Sequence, residues 1–217
     1  MMVAEVAREQ MVLQQVRAWD VLDQRVLELL LKLPREDFVP RAWRDVACAD
    51  TEIPLPHGQH MLAPKMVGRI LQAIAAGAGD TVLEVGTGSG FLTAALACQA
   101  RSVRSLEIYP DIAEFARANL KRAGIANATV LAADGSQLAE HDAYDAAVVT
   151  ASLPLYDERF QQALRIGGRL FVVVGEPPIM EARLVRRVSA TSWSAESLFE
   201  TVLDPLLNAR RREAFEF

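Results

Sequence analysis

TVLEVGTGSG, Thr81 to Gly90, is the stretch whose reading decides the fold. Thr81, Val82, Leu83 and Val85 form a short β-branched and apolar run behind Gly79-Asp80, the pattern of a buried strand in a parallel sheet. Gly86, Gly88 and Gly90 follow at once, and FLTAALACQA after them has the composition of a helix. Strand, glycine-rich turn and helix together bring backbone N–H groups close to a nucleotide-like ligand. The spacing narrows that ligand. A dinucleotide-binding turn reads G-x-G-x-x-G and sets a pyrophosphate at the helix N-terminus, whereas this turn reads G-x-G-x-G with Phe91 in the place of the third glycine. Glu84 lies just before the turn, where a carboxylate would repel a pyrophosphate and suit a ligand bearing an ammonium or sulfonium. Glu107 closes a second strand-like run, SVRSLEI, about 20 residues past the turn, where an acidic side chain accepts from ribose hydroxyls.

Turn, Glu84 and Glu107 in this order resemble the cofactor site of the class I S-adenosylmethionine-dependent methyltransferases, in preference to a nicotinamide site or a purely structural turn. Outward from the turn, strand patterns recur at Val103–Ile108, Thr129–Ala132, Ala146–Thr150 and Arg169–Val174. Helical patterns intervene at Phe91–Ala100, Asp111–Ala123 and Asp157–Arg165, with Asp111 as a candidate N-cap and Gly124 as a glycine just past a helix end. Alternation of this kind specifies a doubly wound α/β fold with a mostly parallel, Rossmann-like sheet. Past Gly175 the pattern changes to ARLVRRVS and SWSAESLFET, which alternate with no helix between them and predict an antiparallel C-terminal edge. Ligands of such sheets sit outside the carboxyl ends of the strands. Reading off those ends gives a cofactor set of Glu84, Val85, Gly86, Thr87, Gly88, Gly90, Glu107, Ile108, Asp134, Gly135 and Thr150. Asp134 there can accept from an adenine amino group, and Gly135 lets the backbone pass close to the ring. Asp145 reads instead as the polar start of its strand.

Upstream, MVAEVAREQMVLQQVRAW carries apolar residues near a helical period, Val6, Met11, Val12 and Val16 among them. Asp23 is placed to cap a second helix, RVLELLLKL, which Pro34 ends. The stretch from Pro34 to Gly68 is broken by Pro34, Pro40, Pro54, Pro56 and Pro64, yet holds Phe38, Val39, Trp43, Met61 and Leu62. A long, apolar-containing loop of this kind inside a domain is the candidate lid or substrate wall, and a helix resumes at Lys65–Ala76. The domain reading is therefore residues 1–76 as an N-terminal helical extension with the acceptor-side loop, and residues 77–217 as the S-adenosylmethionine-binding core, the two forming one unit.

The bulk properties exclude several classes. A chain of 217 residues, 51% hydrophobic and 24% charged, suits one globular domain with an extension. A net charge of −5 argues against nonspecific nucleic-acid binding, which depends on neutralising phosphates. Arg210-Arg211-Arg212 reads as a solvated basic tail, and the C-terminal ARRREAFEF leaves open a dimer contact or packing back on the sheet. Cys48 and Cys98 stand apart with no Cys-x-x-Cys, which disfavours a disulfide framework or a cysteine-rich metal site. The N-terminus has charges where a signal peptide needs an apolar core, and no apolar run approaches the ~20 residues of a membrane span, so a cytoplasmic protein is expected.

MVLQQVRAWDVLDQRVLELLLKLPREDFVP, IPLPHGQ, VLEVGTGSGFLTAALA, YDAAVVTAS and IGGRLFVVVG run in order along the chain. Together they resemble the protein-L-isoaspartate (D-aspartate) O-methyltransferase family over nearly the whole length. The more specific elements are Gln14-Gln15-Val16-Arg17, Val39-Pro40, and Gly58-Gln59 behind a Pro-Leu-Pro. The resemblance implies the class I fold, S-adenosylmethionine as donor, and a damaged aspartyl carboxylate in a protein or peptide as acceptor. One departure stands out. The family's acceptor loop reads Gly-Gln-Thr-Ile-Ser-Gln-Pro, and its Thr and Ser are polar groups facing the reaction centre. Here it reads Gly58-Gln59-His60-Met61-Leu62-Ala63-Pro64. The candidate catalytic residues, on the acceptor side, are thus His60, Gln59 and Leu62.

Methyl transfer to an ionised carboxylate needs alignment and no general base, because that acceptor is already deprotonated at neutral pH. Leu62 cannot replace a positioning hydroxyl. His60 can hold a carboxylate as imidazolium, deprotonate a hydroxyl as neutral imidazole, or stand as an ordinary loop histidine. His57 and His60 lack a third ligand, so no metal is expected. The expectation is an S-adenosylmethionine-dependent O-methyltransferase with weak or absent isoaspartyl repair. Its alternatives are a different small-molecule or protein acceptor, or a non-catalytic binder of the same cofactor.

Overall fold

The computed structural model describes residues 2–211. The chain opens with helix α1 (Met2–Gln10), which widens into a π-helical turn over Met11–Val16 and tightens into a 3-10 turn over Arg17–Trp19. Met11, Val12 and Val16 are buried, but Val6 stays exposed, because the wide turn rotates the apolar stripe away from the line of the first two turns. Asp23 caps α2 (Gln24–Lys32), its side chain accepting from the Arg25 N–H at 2.9 Å. The helix stops before Pro34, whose ring restricts the residue ahead of it.

The proline-broken stretch is ordered as a chain of short pieces. Arg35–Asp37, Arg41–Val46 and Pro56–Gly58 form 3-10 turns, and β1 (Ile53–Pro54) pairs antiparallel with β2 (His60–Met61). Helix α3 (Pro64–Ile74) leads to β3 (Thr81–Val85), α4 (Phe91–Gln99), β4 (Ser102–Glu107), α5 (Pro110–Arg122) and β5 (Ala128–Ala132). Then come β6 (Tyr144–Leu153), α6 (Glu158–Gln162), β7 (Leu164–Glu176), β8 (Ile179–Arg187) and β9 (Trp193–Glu200).

Two local expectations are corrected. Asp111 does not cap α5: Tyr109 is the cap residue, Pro110 with its fixed φ takes the first helical position, and the Asp111 carboxylate turns to His57. The helix expected over Asp157–Arg165 is shorter, Glu158–Gln162 behind the Asp157 cap, because Leu164 and Arg165 already belong to β7. Gly124, at φ 71°, does close α5 in the left-handed conformation.

The seven-stranded sheet runs β5-β4-β3-β6-β7-β8-β9, parallel from β5 to β7 and antiparallel at β8 and β9. Strand order reverses between β3 and β6, which opens a crevice at their carboxyl ends. Pleating sends Val82, Val103 and Val148 into one apolar cluster with α3, α4, α5 and the N-terminal helices. Leu83, Val85, Ala147 and Val149 face the other way, under Leu138, Phe160, Leu206 and Ala209. After β9 the chain folds back over β6, where Ser152 N–H donates to Asp204 O and Leu206 N–H to Ser152 O, both at 2.8 Å. Of the C-terminal segment, Arg212 to Phe217 lie outside the described residues. Among the described residues no helix is long and apolar enough to cross a membrane.

Candidate active site

The crevice is a cleft open to solvent, lined from the carboxyl ends of β3, β4, β5 and β6. Its floor is the glycine turn. Gly86 has φ 93°, and its N–H donates to Leu106 O at 2.8 Å. A Cβ on Gly86 would come within 2.2 Å of Thr150 Oγ1, which donates to Gly86 O at 2.8 Å and Val85 O at 3.0 Å. Thr150 is turned to this place by an irregularity in β6: Val148 pairs with Phe171, but the next partner of β7 is Ser152, opposite Val173.

The wall over β4 is built on Glu107. Its carboxylate accepts from the Gly88 N–H at 2.9 Å and the Tyr109 N–H at 3.2 Å. Burial pushes its pKa up against those backbone donors. Asp134 accepts from Ser136 N–H at 2.8 Å and Asn208 Nδ2 at 2.9 Å; burial opposes ionisation there, but the hydrogen bonds from Asn208 and Ser136 hold its pKa below the ordinary value. Gly135 is close-packed, since a Cβ would sit 2.3 Å from Val85 Cγ1. Val85, Gly86, Gly88, Glu107, Ile108, Asp134, Gly135 and Thr150, all expected from the sequence, line this one cleft.

Three expected cofactor residues are elsewhere. Glu84 does not reach the cleft. Strand alternation turns it to the helix side with Val82, where it is fully buried and accepts from Thr93 Oγ1 at 2.5 Å and Ser105 Oγ at 2.6 Å. Burial pushes its pKa up to about 7. Thr87 is buried against Ser105, at 2.6 Å between hydroxyl oxygens, and faces a smaller neighbouring pocket. Gly90, at φ 84°, begins α4 and lets it approach Ala116 of α5, whose Cβ would lie 3.3 Å from an added Cβ.

On the acceptor side, Gln59, His60 and Leu62 line the same cleft. His60 Nδ1 lies 2.8 Å from Asp204 Oδ2. His57 turns away from His60: it stacks on Tyr109 at 4.1 Å and bonds Asp111 at 2.9 Å. The sequence reading missed Glu52, Leu203, Asp204, Pro205, Leu206 and Leu207, which line the cleft's outer end. It also missed Arg35. This fully buried side chain donates from Nε to Ala47 O at 2.8 Å and from Nη2 to Leu62 O at 2.7 Å, with its guanidinium 5.1 Å from the centre of the Phe91 ring. Burial lowers its pKa to about 9. Arg35 thereby ties the acceptor loop to the start of α4. The Arg35-Glu36-Asp37 charge run reads as solvated, so nothing local announces an arginine turned inward.

The cleft's charge is one-sided. Among the described residues lining it, Glu52, Glu107, Asp134 and Asp204 are acidic and none is Lys or Arg. Its geometry fits a cationic, adenosine-bearing ligand: Gly86 lets Thr150 close against the turn, Glu107 and Asp134 are acceptors at the carboxyl ends of β4 and β5, and Ile108 and Ala133 supply apolar walls.

Comparison with known proteins bears on that geometry. A family model described as protein-L-isoaspartate(D-aspartate) O-methyltransferase matches residues 7–209. A protein-L-isoaspartate O-methyltransferase of Methanoculleus marisnigri is 41% identical over 182 residues, 83% of each chain. One of Magnetococcus marinus is 36% identical over 204 residues, 94% of this chain and 89% of the relative. In fold, a Plasmodium falciparum protein described as a beta-aspartate methyltransferase, crystallised with S-adenosyl-L-homocysteine, superposes with a TM-score of 0.78 at 21% identity, over 92% of this chain and 97% of that one.

Proposed function

The chain belongs to the protein-L-isoaspartate(D-aspartate) O-methyltransferase family, and from that premise we propose an O-methyltransferase whose acceptor end no longer favours the isoaspartyl carboxylate. It is an S-adenosylmethionine-dependent methyltransferase, and the relatives it matches are named protein-L-isoaspartate O-methyltransferases. Val85, Gly86, Gly88, Glu107, Ile108, Asp134, Gly135 and Thr150 would hold the donor. Bound there, its sulfonium supplies an electrophilic methyl group. The chain's own work is then to orient the acceptor, since misplacement by ~1 Å costs about 100-fold.

The acidic outer cleft carries the reading. A carboxylate acceptor would enter between Glu52 and Asp204 with no Lys or Arg among the described lining residues to receive it. A like charge at about 4 Å costs about 4 kcal/mol at an effective dielectric near 20. Leu62, standing where the family has a hydroxyl, has no side-chain donor to offset that cost, and its carbonyl is taken by Arg35.

The test is transfer of labelled methyl from S-adenosylmethionine to an isoaspartyl peptide, with the aspartyl peptide as control and S-adenosylhomocysteine binding measured by calorimetry on the same preparation. The expected result is saturable binding with no more transfer to the isoaspartyl peptide than to the control. Efficient transfer to the isoaspartyl form alone would overturn the proposal.

A further inference from the structure

We infer that His60 and Asp204 form a general-base dyad, and that the acceptor is an uncharged hydroxyl on an apolar, phenol-like body. The inference rests on the methyltransferase reading above and deepens it by naming the acceptor class.

The geometry starts with which ring nitrogen is free. His60 Nδ1 is 2.8 Å from Asp204 Oδ2. A carboxylate only accepts, so the shared hydrogen sits on Nδ1 and the neutral ring keeps its lone pair on Nε2. No hydrogen bond from a described residue engages Nε2. His60 borders both the main cleft and the smaller pocket beside it, in the company of Gly86, Leu62 and Thr150. The free nitrogen thus belongs to a ring at the junction of donor and acceptor space.

The backbone under both halves of the dyad is held, while the two side chains meet at the solvent-exposed mouth of the cleft. His60 lies in the β1–β2 ribbon opposite Pro54, and Leu55 N–H donates to Gln59 O at 2.7 Å. Asp204 is pinned on both sides by fully buried Ser152, whose N–H donates to Asp204 O at 2.8 Å, whose Oγ donates to Leu203 O at 3.1 Å, and whose carbonyl accepts from Leu206 N–H at 2.8 Å. A base oriented by a second group that is itself fixed is the arrangement that activates protic nucleophiles.

Such a base is idle toward a carboxylate, which arrives deprotonated. It acts on an acceptor that arrives with its proton. A phenolic hydroxyl, with a pKa of about 10, lies within reach of an imidazole. Leu62, Leu203, Leu206 and Leu207 around the dyad suit an apolar acceptor body. In the step, the acceptor's O–H bond breaks toward His60 Nε2 as its oxygen bonds to the methyl carbon. The electron pair of the broken carbon–sulfur bond stays on sulfur, which leaves as a neutral thioether. Asp204, with Glu52 beside it in the cleft lining, balances the imidazolium that forms. His60 is the catalytic residue and Asp204 a positioning residue.

The experiment uses the full chain with labelled S-adenosylmethionine and three probes: catechol, phenethylamine and an isoaspartyl peptide. Catechol is expected to turn over at least tenfold faster than either of the others. His60→Gln should lower kcat for catechol by about 10²–10⁴-fold while S-adenosylhomocysteine binding stays within about twofold. Asp204→Asn should lower kcat with little change in KM. Side-chain nitrogen NMR, independent of turnover, should find the His60 proton on Nδ1 in the native chain and on Nε2 in Asp204→Asn. Inert catechol, preference for the amine or the peptide, catechol turnover that survives His60→Gln, or a native His60 protonated on Nε2 would each overturn the inference. Absence of S-adenosylhomocysteine binding by the native chain would overturn the methyltransferase reading beneath it as well.

Discussion

At the scale of single residues, the glycine turn and the acid before it have different occupations. Gly86 serves the cleft: its φ of 93° and the 2.2 Å approach of Thr150 Oγ1 leave no place for a methyl group. Gly86→Ala is therefore expected to weaken S-adenosylhomocysteine binding by at least ~100-fold in calorimetry while the chain still folds. Glu84 serves the interior, and its signature is in pH. Burial lifts its carboxyl from an ordinary 4.5 to about 7, so between those values the native state holds a proton that the unfolded chain has released. Stability therefore falls as pH rises through that window. Glu84→Gln, which mimics the protonated form, should exceed the native chain by under ~1 kcal/mol at pH 5 and by about 3 kcal/mol at pH 8. A difference that does not grow with pH in chemical denaturation would reject this account. The contrast shows what sequence carries at this scale. Residue type and spacing bring Gly86, Glu107 and Asp134 to one cleft, because a strand end followed by glycine has few possible geometries. They misplaced Glu84, because only pleat parity decides whether a strand residue faces ligand or helix.

At the scale of elements, the alternating core was legible because each piece repeats a local period: β3 and α4 begin at the residues their patterns indicate, and the antiparallel β8–β9 edge follows from alternation without a helix. The proline-broken stretch was not, since 3-10 turns and a two-residue ribbon have no period to read. Its order comes from tertiary ties such as Arg35 to Ala47 and Leu62. Close helix approach is equally silent in sequence. Gly68 in the middle of α3 looks like a helix defect worth about 1 kcal/mol against Ala. In the structure it is where the N-terminal helix crosses, and an added Cβ would lie 2.6 Å from Val16 Cγ1 and 3.1 Å from Val21 Cγ2. Both valines are fully buried and stiff at χ1. Gly68→Ala should thus destabilise by about 1–3 kcal/mol despite its better helix propensity. A raised unfolding midpoint would show that the two helices separate at little cost.

At the scale of the whole molecule, what the sequence conceals is contact across distance. Asp204 meets His60 from 144 positions away, and VLDPLL, with a proline and no period, gives no sign that it pairs beside the end of β6. The same long-range economy argues that residues 1–76 and 77–217 fold as one unit, which we propose. One apolar cluster joins Met11, Val12, Val16, Leu30 and Phe38 to Val82, Phe91, Leu92 and Phe171. Phe38 meets Phe91 edge-on with ring centres 5.5 Å apart, and Asn119 Nδ2 on α5 donates to Phe38 O at 3.4 Å and Ser89 O at 2.9 Å. Without residues 1–76, the helix face of the sheet would expose Phe91, Leu92 and their neighbours to water, at roughly 1.5–3 kcal/mol for each large side chain, against a total stability of only about 5–15 kcal/mol for a domain. The full chain should therefore melt in a single calorimetric transition with van't Hoff and calorimetric enthalpies equal. S-adenosylhomocysteine at 100 times its Kd should raise the whole transition by about 2.7 kcal/mol, and a chain beginning at residue 77 should bind dye and show no cooperative melt. Two transitions, with only one moved by ligand, would mean that residues 1–76 and 77–217 are separate cooperative units and would reject the proposal.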